Sequence, residues 1–149
     1  MDIKSQKYWH EFCKKHNLDI NTPIEAFAFG RTDEEANYLA DLVNKGIKTA
    51  TTSAYDFYIE DPLPKAGNYS IILNANDEPV CVIRNTDVQI TPYNKITPEY
   101  AFLEGEGDRS YKYWREVHDE FFKQEFKEQL NEAFDPKSLM VCEFFEKID

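Results

Sequence analysis

Residues 32–53, TDEEANYLADLVNKGIKTATTS, contain the clearest structural signal in the chain. Thr32 with Glu35 three residues later forms a capping-box pattern, which is typical of the start of a helix. Apolar residues then recur at helical spacing, and Gly46 stands where a glycine commonly closes a helix. The β-branched run that follows favours a strand. The segment therefore predicts a helix over about 33–45 that leads directly into a strand.

Short strand-like and helical runs follow one another along the rest of the chain, without regular strand–helix–strand repeats. Helical spacing predicts one helix over 3–16 and a longer helix that begins at Ser110. Apolar, β-branched runs predict strands at residues 24–29, 69–73, 80–83, 87–90 and 139–145. Since neither repeats nor a linker interrupts the 149 residues, we expect one α+β domain, with a small β-barrel surrounded by helices.

The composition indicates a folded, acidic protein, with a formal net charge of -11. Because tight binding to long nucleic acid depends on clustered Lys and Arg, this charge argues against DNA and long RNA as partners. No stretch approaches the ~20 apolar residues that span a bilayer, and the first residues lack a signal-peptide core. We therefore expect a cytoplasmic protein without membrane contacts.

Cysteines and histidines give no metal motif. Cys13, Cys81 and Cys142 are an odd, scattered set rather than a disulfide framework, and the last two lie in apolar runs typical of a core. The histidines do not have zinc-motif spacing, so we predict neither a metal nor a cofactor. His118 shares a helical stripe with Trp114 and is expected to be a structural residue.

Hydroxyl side chains crowd the predicted strand after Gly46. Lys48 and Thr51 would point to opposite faces of a regular strand, so they converge only if the backbone bends there. A lysine beside a threonine hydroxyl can form a base and nucleophile pair, provided that burial lowers the lysine pKa. The alternative is structural, because threonine favours strands and a lysine can cover a helix end.

The acidic loop at 104–109 is the second candidate. Its carboxylates, Glu104, Glu106 and Asp108, repel one another, and its two glycines adopt conformations closed to other residues. Such a loop suits a carboxyl of raised pKa that acts as acid or base, or a cation site built from oxygens. The alternative is a solvated turn in which Asp108 helps to cap the next helix. Arg109 either balances this charge or contacts a phosphate.

Together these motifs resemble the ASCH domain family. The likeness rests on Gly46-x-Lys48-x-x-Thr51 and on Glu104-Gly105-Glu106-Gly107-Asp108-x-Ser110-x-x-x-Trp114-x-x-x-His118. It extends from about Phe27 to the last predicted strand, with residues 1–22 as an N-terminal helical extension and 23–149 as the core. The resemblance implies a bacterial protein with a PUA-like β-barrel, a fold related to RNA-binding modules.

Two branches of that family are similar to this chain in different ways. One consists of small bacterial amidohydrolases that remove the acetyl group from acetylcytidine, using a Lys, a Thr three residues later and a distant Glu. The resemblance places these roles on Lys48, Thr51 and Glu104. This chain is longer than those enzymes, and its glycine-rich acidic loop resembles another branch, which includes proteins similar to a single-strand-specific ribonuclease.

The first hypothesis is a cofactor-independent hydrolase of an acylated, nucleoside-like substrate. Thr51 would be the nucleophile, Lys48 the base or the positive neighbour of an oxyanion, and Glu104 would orient Lys48 or relay a proton. The expected substrate-binding residues are Gly46 and Ile47, as oxyanion donors, with Glu106, Asp108, Arg109 and Tyr55.

One alternative is an RNA-binding module or ribonuclease in which Tyr55 and Tyr58 stack on bases of a short single strand. Another is a protein-interaction domain without chemistry.

Overall fold

The computed structural model of the protein describes residues 1–149. In chain order the elements are α1 (Ile3–His16), β1 (Ile24–Phe27), α2 (Asp33–Asn44), β2 (Ala50–Ala54), β3 (Tyr69–Leu73), β4 (Pro79–Pro92), α3 (Pro98–Glu104), α4 (Tyr111–Leu130) and β5 (Leu139–Lys147). The predicted α+β class is confirmed. None of the helices combines the length and the apolar character of a membrane-spanning segment.

The five strands form one mixed sheet in the order β1-β3-β4-β5-β2. β1 runs parallel to β3, and every other neighbouring pair is antiparallel. β1 and β2 stand at the two ends of this order and are not paired with each other. The strand pairings therefore describe an open sheet, and the closed PUA-like barrel expected from the sequence is not shown.

β4 is a single strand of 14 residues, where the sequence indicated separate strands over 80–83 and 87–90. Its pairing with β5 shifts register between Asn85 and Asp87. A bulge of this kind inserts an extra residue, bends the strand and increases its twist. The polar residues that looked like a break between two strands are therefore a bulge within one strand.

Side-chain caps fix the helix starts. The Thr32 hydroxyl accepts a hydrogen bond from the Glu35 amide at 3.1 Å, and the Ser110 hydroxyl accepts one from Tyr113 at 3.1 Å. Both helices start where the sequence predicted. After α2 the chain turns at Gly46, whose φ of +75° is a left-handed conformation that favours glycine. The chain is thereby redirected from α2 into β2.

Helices cover both faces of the sheet. α1 buries Trp9 and Phe12 against Ile71 of β3, whereas α2 packs on the neighbouring Ile72, whose side chain points to the other face. α3 and α4 pack with β2 and β5 in the largest cluster, which contains Trp114. The start of β2, the end of α3 and the middle of α4 consequently meet in one place.

All three cysteines are free and buried, as the apolar runs around two of them predicted. Cys13 and Cys81 have no exposed surface, and Cys142 is 3% exposed. Burial raises the pKa of the Cys81 and Cys142 thiols to about 11. These thiols are packing residues, because the thiolate that reacts with electrophiles is strongly disfavoured.

Candidate functional site

Lys48 is buried where α2 leads into β2, and only 2% of the residue is exposed. Its Nζ donates to the Ala50 carbonyl at 2.8 Å, to Glu104 Oε1 at 3.0 Å and to Glu106 Oε2 at 3.1 Å. An ammonium group has three N–H donors, so these three acceptors use all of them. The side chain is held as a cation inside the protein.

The charge state of Lys48 follows from the same contacts. Burial by itself lowers the pKa of the ammonium, but Glu104 and Glu106 outweigh burial and raise the pKa above its ordinary value. Lys48 is therefore charged at neutral pH and has no free lone pair with which to accept a proton. Of the two roles that the sequence allowed, the geometry favours the electrostatic one over the base.

Glu104, the last residue of α3, is buried and accepts hydrogen bonds at both carboxylate oxygens. Oε1 accepts from Lys48, while Oε2 accepts from the Thr52 hydroxyl and from Trp114 Nε1, each at 2.7 Å. Burial raises the pKa of Glu104, but Lys48 and then His118 outweigh it and hold the pKa well below its usual range. Glu104 is thus a fixed anion that anchors Lys48, rather than an acidic-loop carboxyl of raised pKa.

His118 on α4 belongs to this network as well as to the core. Its Nδ1 lies 2.8 Å from the Trp114 carbonyl, and its Nε2 lies 3.5 Å from Glu104 Oε2. Since a carbonyl only accepts, Nδ1 carries a hydrogen, and the hydrogen that Nε2 gains on protonation faces the carboxylate. Burial lowers the pKa of His118, yet the Glu104 charge outweighs burial and raises it. The helical stripe predicted only a structural role for His118.

The network lies at the wall of one cavity of about 800 Å³, which we call the site cavity. Lys48, Thr51, Glu104 and Glu106 all line it. Most of the charged lining is acidic. Six carboxylates line it with two basic side chains, Lys48 and His118; the carboxylates are Glu25, Glu35, Asp61, Glu104, Glu106 and Glu143.

Thr51 and Thr52 both line the site cavity but have different partners. Because side chains alternate along a strand, the two threonines point to opposite faces of β2. The hydrogen bonds that hold Glu104 include the Thr52 hydroxyl and not that of Thr51. Across the β2–β5 pairing, Thr51 lies directly opposite Glu143. The sequence motif thus places Thr51 in the site cavity, but not in contact with the ion pair.

The backbone at Gly46 and Ile47, expected to provide oxyanion donors, is used within α2. The Gly46 amide donates to the Val43 carbonyl at 3.0 Å, and the Ile47 amide donates to Leu42 at 2.9 Å. These bonds satisfy carbonyls at the helix end. Neither residue lines the site cavity, so neither amide is available to a substrate there.

Asp108, Arg109 and Tyr55 also lie outside the site cavity. Asp108 accepts from the Ser110 amide at 2.9 Å, which is the helix-capping alternative. The Arg109 Nε donates to the Phe102 carbonyl at 3.1 Å, and its guanidinium stacks 3.6 Å from the centre of the Phe102 ring. Tyr55 lines a separate cavity of about 440 Å³. Of the expected substrate-binding residues, Glu106 alone reaches the site cavity.

Glu104, Glu106 and His118 are the one group of potential metal ligands, with one ligand atom from each lying within 4.8 Å of the others. Two carboxylates and an imidazole are a chemically suitable donor set for a divalent metal. The Lys48 ammonium, however, is bonded to both carboxylates. A cation already lies between these ligands, so a metal would have to displace Lys48.

Sequence reasoning missed a second polar pair in the site cavity. Asn85, which is 6% exposed, donates from Nδ2 to Glu143 Oε1 at 3.0 Å. Burial raises the pKa of Glu143, Asn85 lowers it and the charge of Glu25 raises it, with a net increase. The sequence does carry one signal for this pair, because Glu143 is a charged residue in the middle of the otherwise apolar strand predicted over 139–145.

Comparison with known proteins identifies the family. A model of the ASCH domain matches residues 25–149. The chain belongs to the ASCH domain family. The ASCH domain from Lactobacillus crispatus JV V101 has a TM-score of 0.93 and 30% identity, covering 99% of this chain and 95% of that one. Protein EF3133 from Enterococcus faecalis V583 has a TM-score of 0.87 and 40% identity, covering 98% and 93%.

A third solved structure is too different in sequence to indicate more than a shared fold. A hypothetical protein, PH0355, has a TM-score of 0.54 at 16% identity, covering 84% of this chain and 98% of that one. No curated protein matches the sequence. The matches to the Lactobacillus and Enterococcus structures cover nearly the whole chain, including α1, while the ASCH model begins at residue 25. The division into an extension over 1–22 and a core over 23–149 stays a prediction.

Proposed function

We propose that this ASCH domain protein is a hydrolase that removes an acyl group from an amino group of a small, unphosphorylated nucleoside, with Thr51 as the nucleophile. The observation that carries the proposal is the buried Lys48–Glu104 pair, set beside the hydroxyl-bearing strand β2 in one cavity. ASCH domains are associated with RNA binding or hydrolysis, and the resemblance to acetylcytidine amidohydrolases supports the same three residues.

Lys48 supplies positive charge where the substrate carbonyl oxygen becomes negative. Ala50 and Glu104 hold its Nζ from inside the protein, whereas Glu106 has a side chain that is 15% exposed. Glu106 is therefore the partner that a substrate oxygen replaces. A fixed cation in a site shielded from water stabilises an oxyanion without reorganising during the reaction.

The charge of the site cavity selects the substrate class. Six carboxylates outnumber the two basic side chains, Lys48 and His118, and the net negative charge repels a phosphate group. A free nucleoside therefore fits better than a nucleotide or a long RNA. Aromatic side chains, including Phe27, Phe29, Tyr69 and Phe121, also line the cavity and offer surfaces on which a base can stack. The volume of about 800 Å³ lies within the usual range of small-molecule sites.

RNA binding is the weaker candidate. It is favoured by the exposed Phe102 ring with the Arg109 guanidinium stacked on it, because such a pair can stack with a base. This pair lies outside the site cavity, and the net charge of -11 opposes binding to a phosphate backbone.

The test is an assay with acetylated nucleosides and short single-stranded RNA. Purified protein is incubated with N4-acetylcytidine, its 5′-monophosphate and an acetylcytidine-containing RNA, and released acetate and cytidine are measured by chromatography. We expect the free nucleoside to be hydrolysed and the monophosphate to react roughly tenfold more slowly, the effect of about 1.4 kcal/mol of repulsion.

The matched variants are Thr51→Ala and Thr86→Ala. Thr51→Ala should abolish acetate release because it removes the nucleophile, whereas Thr86→Ala changes an exposed threonine on β4 and should leave the rate unchanged. Full activity in Thr51→Ala, or no acetate from any acylated nucleoside with the unmodified protein, would refute the proposed function.

A further inference from the structure

A threonine nucleophile needs a nearby group that takes its proton, because a hydroxyl is too weakly acidic to react unaided. Lys48 is an ammonium whose three hydrogens are all bonded. Glu104 accepts at both oxygens and is a fixed anion. The two charged residues that the sequence motif supplies therefore leave the Thr51 proton without an acceptor.

The strand pairing brings another carboxylate to Thr51. Thr51 on β2 and Glu143 on β5 are directly opposed in the antiparallel register. Residues in this relation point to the same face, with Cβ atoms roughly 4.5–5.5 Å apart. Both side chains line the site cavity. A glutamate carboxylate at this spacing can reach the threonine hydroxyl directly or through one water.

Asn85 holds that carboxylate in place. Its Nδ2 donates to Glu143 Oε1 at 3.0 Å, and Asn85 itself is buried. Asn85 lies at the register shift of β4, where the strand bends. Because Asn85 is bonded to Oε1, Oε2 is the Glu143 oxygen that we assign to the Thr51 hydroxyl.

We propose that Glu143 is the catalytic base that accepts the Thr51 proton, and that Asn85 is its positioning residue. This inference rests on the proposed hydrolase function for its substrate. The activation of Thr51 is nevertheless testable with a reactive probe that is not an acylated nucleoside.

The proposed reaction balances with water as the second reactant. As Thr51 Oγ forms a bond to the acyl carbon, its proton passes to Glu143. The C–N bond then breaks, and Glu143 returns this proton to the leaving amine. In the second half, water gives a proton to Glu143 and attacks the acyl carbon. The acyl–oxygen bond breaks, Thr51 recovers the proton, and the products are an amine and a carboxylic acid.

The surroundings of Glu143 raise its pKa above the ordinary glutamate value. Burial raises the pKa of the carboxyl, the Asn85 bond lowers it, and the negative charge of Glu25 on β1 raises it. Tyr58, in the segment after β2, has a pKa that is raised by burial, lowered by its bond with Ser53 and raised by the Glu143 charge, with a net increase. A pKa closer to the working pH makes a carboxylate a better proton acceptor.

The test measures how fast Thr51 reacts with phenylmethanesulfonyl fluoride, which forms an oxygen–sulfur bond with loss of fluoride. Peptide mass spectrometry locates the label, and N4-acetylcytidine hydrolysis is measured in parallel. Glu143→Gln should slow the labelling of Thr51 by roughly 100-fold, the lower end of the contribution of a general base. The matched control, Glu146→Gln, removes an exposed carboxylate of the same strand that pairs with Arg84, and should react like the unmodified protein.

The pH dependence separates catalysis from folding and does not require replacing Glu143. The labelling rate should rise with pH through the Glu143 pKa. Glu25→Gln should move this rise to lower pH and Asn85→Ala to higher pH, because the two residues shift the Glu143 pKa in opposite directions. Thermal unfolding of each variant verifies that it is folded.

The labelling and hydrolysis results test the role of Glu143 separately from the proposed substrate. If Glu143→Gln labels at the unmodified rate, if the unmodified Thr51 resists the probe, or if the two neighbouring variants leave the pH dependence unchanged, Glu143 is not the base. If labelling depends on Glu143 but no acylated nucleoside is hydrolysed, the base assignment stands and the proposed substrate class fails.

Discussion

Replacing Glu104 with Gln removes the negative charge opposite Lys48 while keeping nearly the same side-chain shape. The Lys48 and Glu104 side chains are only 2% and 1% exposed, so water cannot solvate the lysine once its partner is neutral. Removing one member of a buried ion pair costs ~3–5 kcal/mol of unfolding free energy. Glu106 stays 3.1 Å from Nζ, so we expect a value near the lower end, ~3 kcal/mol.

The loss is measured by urea unfolding at pH 7 and by thermal unfolding, both followed by circular dichroism. A loss of ~3 kcal/mol corresponds to a fall in Tm of roughly 6–12 °C for a domain of this size. Glu106→Gln is the matched control, because Glu106 contacts the same Nζ but is partly exposed. It should cost only ~1 kcal/mol.

A double variant gives the sharper result. Lys48→Met with Glu104→Gln removes the uncompensated charge and should be more stable than Glu104→Gln alone. A single Glu104→Gln variant that loses less than ~1 kcal/mol, or a double variant less stable than the single one, would show that Lys48 does not depend on Glu104 for charge compensation.

Three further outcomes follow from other contacts. Burial lowers the pKa of His118, but the Glu104 charge outweighs burial and raises it, so its stabilisation is complete below the ordinary histidine value of ~6.5 and is lost as pH rises through the folded pKa. His118→Gln should remove this decline in unfolding free energy above pH ~6.5. Gly105→Ala should cost ~2 kcal/mol or more in urea unfolding, since its Cβ would lie 2.5 Å from the Ile47 carbonyl oxygen. At Gly46 an added Cβ would meet no atom within 4 Å, so Gly46→Ala should cost only the ~1–2 kcal/mol of a left-handed conformation. Equal losses of unfolding free energy in the two variants would contradict the clash with Ile47 at Gly105. Binding of unmodified single-stranded RNA should be weak and fall steeply with salt in a fluorescence titration, and tight, salt-insensitive binding would reverse the ranking of the two functions.

Local elements of the fold could be predicted because their signals are local. The cap at Thr32, the apolar spacing of α2 and the run at 69–73 are each encoded within a few residues. The sequence predicted two strands where the structure has β4 alone, because the polar residues of the bulge at Asn85 look like a strand end. Only the pairing with β5 distinguishes a bulge from a break. Sheet closure depends on how distant edges meet, and no local pattern encodes that.

The candidate site likewise combines residues that local motifs predict with contacts that only the fold reveals. Lys48, Thr51 and Glu104 were found through a resemblance between motifs, and the structure brings all three to one cavity. The pairing of Thr51 with Glu143 could not be predicted, because register between strands is a tertiary property. His118 was expected to be only structural because its helix stripe is apolar. Its charge partner, Glu104, belongs to a different helix.

The burial of every native thiol makes this protein convenient for site-specific labelling. Cys13, Cys81 and Cys142 are inaccessible to maleimide reagents in the folded state. One cysteine introduced at Val117, an exposed residue that lines the site cavity, would therefore carry a fluorophore without removal of the native ones. Such a reporter would follow ligand entry by fluorescence in real time. Delayed labelling of the three native thiols would report transient opening of the core in the same sample.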